Sequence, residues 1–507
     1  MSSILQRPRL RVPRLFAPGS SNSELVLGLV IAMSIGVVAA KQASIARVFV
    51  GIFGGLIFFL ISMNGRITAL RLAIIFLVFM GLIRRLLIPF AGWSEQDPLL
   101  LVGPGCAFMI WLNGKANIPK KRDALTLMAI FFFIWTFAQI VNPAQGSLAS
   151  GLFGAIFWLP PLLWFFVGRT FPESIHRKIA GLIVICAVPA ALHGLYQTFF
   201  GLLPFELHWL GVSNIGASVF YEGFKIRSFG PLTSPQEYGD FLVVAIAILY
   251  GTILARHRIM WLRLSLLFFL LFALFMQGSR STFALAFLML ALTSIFWVRN
   301  LGAKILITFG VAALVFIFSL LPAPKDAGTT GASAAVNHQL SGLLNPGGST
   351  TGLHADMISR GFAKAWNHPL GLGTSPVTIL SVKQGNSSEG TEFDISNIFV
   401  SFGIPGGIAY LMFLVILFAA AARRFRKSRT AYSIAVVGMF ISMLGNIYSA
   451  SLYTVSTILW LALGGLSRVS DPELEAKDLA QDALDQQRVE QQEAEKQGVA
   501  LPAPAAS

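Results

Sequence analysis

The chain reads as an all-α integral membrane protein, a polytopic bundle of about 12–14 transmembrane helices with a large external loop before the last three helices. Three observations carry that reading. Of 507 residues 55% are hydrophobic and 12% charged, where a soluble domain carries about 25% charged residues. The apolar residues fall in runs that no water-exposed surface hides. The basic residues punctuate those runs instead of forming a groove with interleaved aromatics, so the net charge of +15 signals membrane topology, not nucleic acid.

The elements follow in order. Each apolar run approaches the roughly 20 residues that a bilayer core requires, giving spans at 25–40, 45–62, 70–83, 99–112, 124–141, 149–168, 179–200, 241–255, 259–276, 283–298, 303–321, 397–421, 431–447 and 453–466. The run at 99–112 contains Gly103, Pro104 and Gly105, which leaves a re-entrant segment as the alternative to a crossing. With a cytoplasmic N-terminus, most Lys and Arg lie in inside segments, among them Arg7 to Arg14, Lys120 to Arg122, Arg256 to Arg263 and Arg423 to Arg429, as the positive-inside bias requires. Arg84 and Arg85 fall outside and argue against the count at that point. No cleavable signal peptide is evident near Ala39 and Ala40, so the first run reads as an anchor.

The chain then divides into a basic cytoplasmic N-terminus (1–24), a transmembrane bundle (25–321) with an external loop at 202–240, a large external subdomain (322–396), C-terminal transmembrane helices (397–467) and an acidic, largely disordered cytoplasmic tail (468–507). From Asp471 onward nine acidic residues face three basic ones, leaving the tail at −6 and the preceding chain at +21. Within the subdomain, 328–335 is Gly/Ala/Thr/Ser-rich and reads as flexible, helical character begins near Leu353, and a Gly-rich turn covers Gly371 to Gly373. Loops this long without structure of their own are uncommon unless functional or disordered. Cys106 and Cys186 both lie in apolar runs and read as packing residues.

Several polar residues ask for a reason. The run Gln277-Gly278-Ser279-Arg280-Ser281-Thr282 joins two apolar helices by a tight turn. Arg280 either faces an interior cavity or snorkels to headgroups. Arg227 lies in the first long loop, ahead of Pro235-Gln236-Glu237. Two external guanidinium forks match the geometry of a diphosphate; the plainer reading of each is a solvated loop arginine. Glu389, Glu392 and Asp394 precede the helix near Asn397. Asp394 and Ser396 fit capping, which leaves Glu392 as the better general-base candidate, with Asp394 second. His193, inside an apolar run, reads as a packing residue. The sequence contains no His-Glu-x-x-His, no phosphate-binding Gly-Lys-Ser/Thr loop and no zinc-spaced cysteine pair, so no metal site is expected.

The order of these features resembles the O-antigen ligase and Wzy-type polysaccharide polymerase superfamily. The residues that carry the resemblance are Arg227 with Gly230 and Pro235-Gln236; Gly278-Ser279-Arg280-Ser281; Arg360, Trp366 and His368-Pro369-Leu370-Gly371-Leu372-Gly373; and Ser396-Asn397 with Gly403-Ile404-Pro405-Gly406-Gly407. It covers the second half of the chain. The resemblance implies a glycosyltransferase of the bacterial cytoplasmic membrane, both termini cytoplasmic. Such an enzyme moves a glycan from undecaprenyl diphosphate to a glycan or lipid acceptor at the outer face, without metal or other cofactor. Arg280, Arg227, Glu392 and Asp394 are then the expected catalytic residues, and Arg227, Arg280, Arg360 and His354 the expected substrate-binding ones. Membrane lipids and other polysaccharide-assembly proteins are the expected partners, and nucleic acid is not. Ligases commonly carry His before the Asn of the last motif; here that position is Ser396, which favours a polymerase over an O-antigen ligase. The rival from another class is a polysaccharide transporter or flippase, against which stand the absence of an internal repeat and the asymmetric late loops. A non-catalytic assembly scaffold, with the tail as its docking feature, is the third.

Overall fold

Prolines, glycines and short polar caps decide where the apolar runs start, stop and bend. The computed structural model describes residues 45, 51–57, 60, 65–93, 97–114, 122–213, 219–221, 225–255, 260–320, 336, 351–378, 393–448 and 453–468. The first two expected spans lie largely outside these residues, and the acidic tail beyond Arg468, the 328–335 stretch, Glu389 and Glu392 lie wholly outside them.

The described elements are α1 (Arg66–Leu86), α2 (Ile88–Ala91), a 3-10 turn (Pro98–Leu101), α3 (Val102–Leu112), α4 (Ala124–Ile140), α5 (Leu148–Gly168), α6 (Glu173–Phe200), α7 (Pro204–Val212), strands β1 (Phe220–Tyr221) and β2 (Lys225–Ile226), α8 (Pro235–Leu254), α9 (Met260–Met276), α10 (Arg280–Trp297), α11 (Leu301–Leu320), α12 (Thr351–Asn367), α13 (Asp394–Lys427), α14 (Ala431–Ser442) and α15 (Tyr453–Arg468). Helices α1, α5, α6, α8, α10 and α13 are long and apolar enough to cross a membrane, and the chain is a helical membrane protein. The expected all-α class needs one amendment, the two-residue antiparallel hairpin pairing Phe220 with Ile226.

Side-chain caps start many of these helices. Asp123 accepts the Thr126 N–H, Ser147 the Ser150 N–H and Ser234 the Glu237 N–H, each satisfying a donor with no partner inside the helix. Thr430 and Ser433 cap α14 reciprocally. Helix α8 is the most enclosed span, with 78% of its apolar window buried. It packs on α6, α9, α10, α14 and α15. A second seam joins α5 to α15 where backbones nearly touch: a Cβ at Gly464 would lie 2.1 Å from the Phe165 carbonyl, and one at Gly168 would lie 2.1 Å from that of Leu461. Glycine is what permits such an approach between membrane helices. Trp460 then stacks flat on Phe413, 5.5 Å between centroids and 2° between planes.

The helix ends sort into two groups. At the short-loop end, Arg66 Nη2 donates to Thr170 Oγ1 (2.5 Å), Ser467 Oγ to Asp123 (2.8 Å) and Arg468 Nη1 to the Arg169 carbonyl (3.0 Å), while Arg424 pairs with Glu173. At the long-loop end, the Leu82 N–H donates to the Pro231 carbonyl (2.8 Å) and Gln277 Nε2 to that of Pro235 (2.8 Å), while the Thr454 N–H donates to Glu237 Oε1 (2.6 Å).

This sorting bears on two readings. The 99–112 run passes from one group of helix ends to the other. Its entry lies beside Arg84, which pairs with Asp97, and its exit, Gly114, lies against the Arg66 guanidinium at the opposite end. Pro104 falls in the first turn of α3, where its missing N–H has no helical partner to lose. Arg84 and Arg85 are likewise not misplaced: both are buried (8% and 1% exposed) at the long-loop end, held by protein partners rather than by the aqueous loop that the charge pattern suggested. Helix starts also shift. Helix α8 begins at Pro235 and α13 at Asp394, because Ser234 caps the former and the latter continues N-terminally past the polar residues that masked it.

Candidate functional site

At the long-loop end the segment from Arg227 to Ser234 is laid across the tops of α1 and α6. A Cβ at Gly81 would lie 2.2 Å from the Leu232 carbonyl, so glycine there lets the segment rest on α1. Arg85 grips it, donating from Nη1 to the Leu232 carbonyl (2.8 Å) and from Nη2 to that of Gly230 (2.5 Å). Its guanidinium also lies 4.7 Å over the Phe229 ring and 5.1 Å from that of Trp209, a cation–π arrangement that strengthens where water is excluded. Gln197 Oε1 accepts the Phe229 and Gly230 N–H groups (2.9 and 2.8 Å). Arg227 thus lies at the start of a segment fixed from below by a buried arginine and a buried glutamine. Its own N–H donates to the Val219 carbonyl (2.7 Å) and its side chain is half-buried.

The turn that carries Arg280 is tied to the start of α8 by a different device. Gly278 turns at φ 89°, a conformation glycine adopts freely. Gln277, fully buried, accepts the Ser279 N–H (2.8 Å) and donates to the Pro235 carbonyl (2.8 Å). The Ser-Arg turn is thereby bonded to the first residue of α8. Gln236 Nε2 donates to both Asp240 oxygens at 3.0 Å and reaches Thr282 Oγ1 at 3.4 Å, aligning the first turns of α8 and α10. Glu237, buried, accepts from Thr233 and from the Thr454 N–H (2.6 Å), so its carboxylate neutralises the N-terminus of α15. The segments that carry Arg227 and Arg280 therefore meet at the N-terminus of α8.

The other expected site residues are arranged differently. Asp394 is 1% exposed; its Oδ2 accepts the Tyr448 N–H (2.5 Å) and the Tyr410 hydroxyl (3.1 Å). It holds the turn after α14 instead of capping its own helix, whose N-cap is Phe393. Ser396, also expected to cap, donates from Oγ to the Phe393 carbonyl (3.1 Å). Arg360 is exposed on α12, its Nε 3.3 Å from the Asp356 carbonyl. The backbone of His354 is helical, and its side chain lies outside the described residues. Glu392, the first choice for a base, lies outside them too. No group of three or more His, Cys, Asp or Glu residues able to hold a metal occurs among the described residues.

The motif segments of the second half dock on each other. Helix α13 breaks at Gly403 (φ 69°, ψ −168°), and Pro405 follows. Proline has no N–H, so the Ser401 carbonyl loses its helical partner. The 369–373 stretch fills the gap: the Leu372 N–H donates to Val400 (2.9 Å), that of Gly373 to Ser401 (3.1 Å), and that of Ile404 to Pro369 (2.9 Å). Gln139 Nε2 donates to the Leu370 carbonyl, Asn142 Nδ2 to that of Gly371, and Trp158 Nε1 to that of Thr374, at 2.8 to 3.0 Å.

Below this end lies a shallow recess with a free volume of about 20 Å³, lined by Leu77, Gly103, Phe157, Pro160, Tyr453 and Ser456 among others. Pro160 and Pro161 open it, since neither can donate to the carbonyls of Ile156 and Phe157 one turn earlier. Its upper edge, Tyr453, adjoins Thr454, the partner of Glu237.

Sequence reasoning assigned no role to Arg85, Gln197, Gln277, Glu206 or Glu237. The only signal was chemical: a glutamine, glutamate or arginine inside or beside an apolar run is expensive and calls for a partner. His193 illustrates the rule. Its Nε2 lies 3.1 Å from Glu206 Oε1, and Glu206 also accepts from Gln197 (2.6 Å) and the Leu203 N–H (3.0 Å). Burial pushes the Glu206 carboxyl up, but the hydrogen bonds from His193 and the Leu203 N–H and the charges of His193 and Arg85 outweigh it and hold the pKa below the ordinary range. A carboxyl depressed on folding contributes stability that is complete above its unfolded value of about 4.3 and is lost as pH falls through the folded value. Melting of the detergent-solubilised chain is therefore expected to drop on acidification below about pH 4. Glu206→Gln should flatten that part of the profile; an unchanged acid limb would remove Glu206 as its source.

No protein-family model matches the chain, and no curated protein matches it.

Proposed function

We propose that this chain is a membrane glycosyltransferase that polymerises lipid-diphosphate-linked oligosaccharide repeat units at the outer face of the bacterial cytoplasmic membrane. The observation that carries the reading is the convergence of the Arg227 and Arg280 segments on the α8 N-terminus, each fixed by a buried glutamine. Two guanidinium forks carried on segments that join at a helix N-terminus suit a diphosphate, whose charge grows as it departs. The bond from the anomeric carbon to the diphosphate oxygen breaks, and its electron pair stays on the diphosphate beside the arginines. The acceptor hydroxyl oxygen forms the new bond to that carbon, and its proton passes to Glu392.

A further observation supports the reading. The short-loop end collects Arg66, Arg122, Arg169, Arg423, Arg424, Arg426, Lys427, Arg429 and Arg468, which favours a cytoplasmic assignment for it and an external one for the arginine site. The 12–14 spans, the external subdomain at 322–396 and the cytoplasmic termini belong to this proposal, and Ser396 favours chain growth over transfer to a lipid acceptor. Purified chain in proteoliposomes with an undecaprenyl-diphosphate-linked repeat tests it: a ladder of lengthening glycans is expected without added metal. An unchanged donor pool under conditions where the chain stays folded would overturn it, and net movement of donor across the bilayer without bond formation would favour the transporter.

A further inference from the structure

Helix α12 divides its surface three ways. Gly361 and Ala365, buried, form the seam against α13, where the Phe362 and Phe399 rings meet at 5.0 Å. On one flank of that seam Phe362 (40% exposed) and Trp366 (78% exposed) form an aromatic ridge, continued past the helix by Leu370 (67% exposed). On the other flank Asp356, Arg360 and Lys364 follow at i, i+4 and i+8, one above the next on a helix. A large apolar ridge left open on one side of a packed seam, with charge on the other, requires two different solvents.

The position of the helix names them. Its C-terminal end is tied to the bundle rim, where Gln139 donates to the Leu370 carbonyl (2.8 Å) and Trp135 Nε1 of the same α4 donates to the Phe402 carbonyl of α13 (3.0 Å). The outward faces of these two helices are apolar and open: Ile134, Phe137 and Val141 on α4, and Ile408, Met412 and Val415 on α13, are 49–71% exposed. The aromatic ridge of α12 continues that lipid-facing surface at its upper margin. Tryptophan concentrates at membrane interfaces, and helices with an apolar flank and a basic flank lie in the interface plane.

We propose that α12 lies flat in the phospholipid headgroup layer at the rim of the bundle, with Phe362, Trp366 and Leu370 turned into the bilayer and Arg360 and Lys364 turned toward phosphate and water. The partner of this surface is the bilayer itself. The segment that precedes α13 is then anchored to the membrane twice, through the α13 seam and through lipid.

The test places a nitroxide at Trp366→Cys and, separately, at Arg360→Cys in the full chain, reconstituted in nanodiscs of phosphatidylethanolamine and phosphatidylglycerol. Cys106 and Cys186 are buried and serve as the unlabelled background. The label at 366 is expected to collide several-fold more with dioxygen than with a water-soluble nickel chelate, and the label at 360 to show the reverse. Equal access of the chelate to both positions would overturn the proposal, as would shielding of position 366 from both reagents, the signature of a protein partner or second copy on the ridge. Leu370→Cys repeats the measurement if Trp366→Cys does not yield monodisperse protein.

Discussion

Arg280→Lys is expected to cut polymer output in proteoliposomes by about a hundredfold while leaving the melting temperature of the solubilised chain unchanged. Lysine keeps the charge but loses the planar fork, and removing one preorganised donor from a developing anion costs about 10²–10³ in rate. The change is selective because Arg280 is the first residue of α10 and half-buried, whereas the turn that presents it is built from Gly278 and the hydrogen bonds of Gln277. The two roles are separable: Gln277→Ala should lower both activity and stability, since it leaves the Pro235 carbonyl and the Ser279 N–H without their partner at a cost of about 1–3 kcal/mol each. The measurements are ladder length on gels and melting in detergent. Full polymer output from Arg280→Lys sinks the diphosphate clamp.

Gly403→Val is expected to abolish folded protein, seen as loss of the monodisperse peak in fluorescence-detected size exclusion. At φ 69°, ψ −168° a β-branched residue is a steric outlier, and such strain alone costs of order 1–3 kcal/mol. A Cβ would also stand 2.3 Å from the Pro369 carbonyl and 2.5 Å from the Gly371 nitrogen, forcing the 369–373 stretch out of the break. The loss of its hydrogen bonds then adds to a total that competes with the roughly 5–15 kcal/mol holding a folded domain together. Gly105→Ala is the control: the position is helical and has no atom within 4 Å of the added carbon, so alanine there should be neutral or mildly stabilising.

The helices were legible because hydropathy measures one thing well, the length of an apolar run. Every expected span from 70–83 onward coincides with a described helix, including the 99–112 run, whose internal Gly-Pro-Gly falls in the first turn of a helix that a 3-10 turn precedes, rather than in a break. Arg84 and Arg85 were read as loop charges because a sequence shows a charge without its partners; the Gly230 and Leu232 carbonyls that accept from Arg85 lie about 145 residues away. The same limit hid Gln197, Gln277 and Glu237. The glycines of 371–373 and 403 were visible as motif positions, but that one stretch completes the broken hydrogen bonding of the other is a long-range fact. Asp394 was expected to cap a helix or act as a base, and local sequence gave no sign of Tyr410 and Tyr448, 16 and 54 residues on.

The break in α13 also gives its two parts different dependencies. A buried carbonyl without a donor costs several kcal/mol, and Val400 and Ser401 receive their donors from residues 372 and 373 rather than from their own helix. The turns of α13 ahead of Gly403 are therefore completed by a segment that precedes them in the chain, whereas the helix beyond Pro405 supplies its own bonds. Displacing the 369–373 stretch would loosen the first part and leave the second intact, which makes the break a joint as well as a kink.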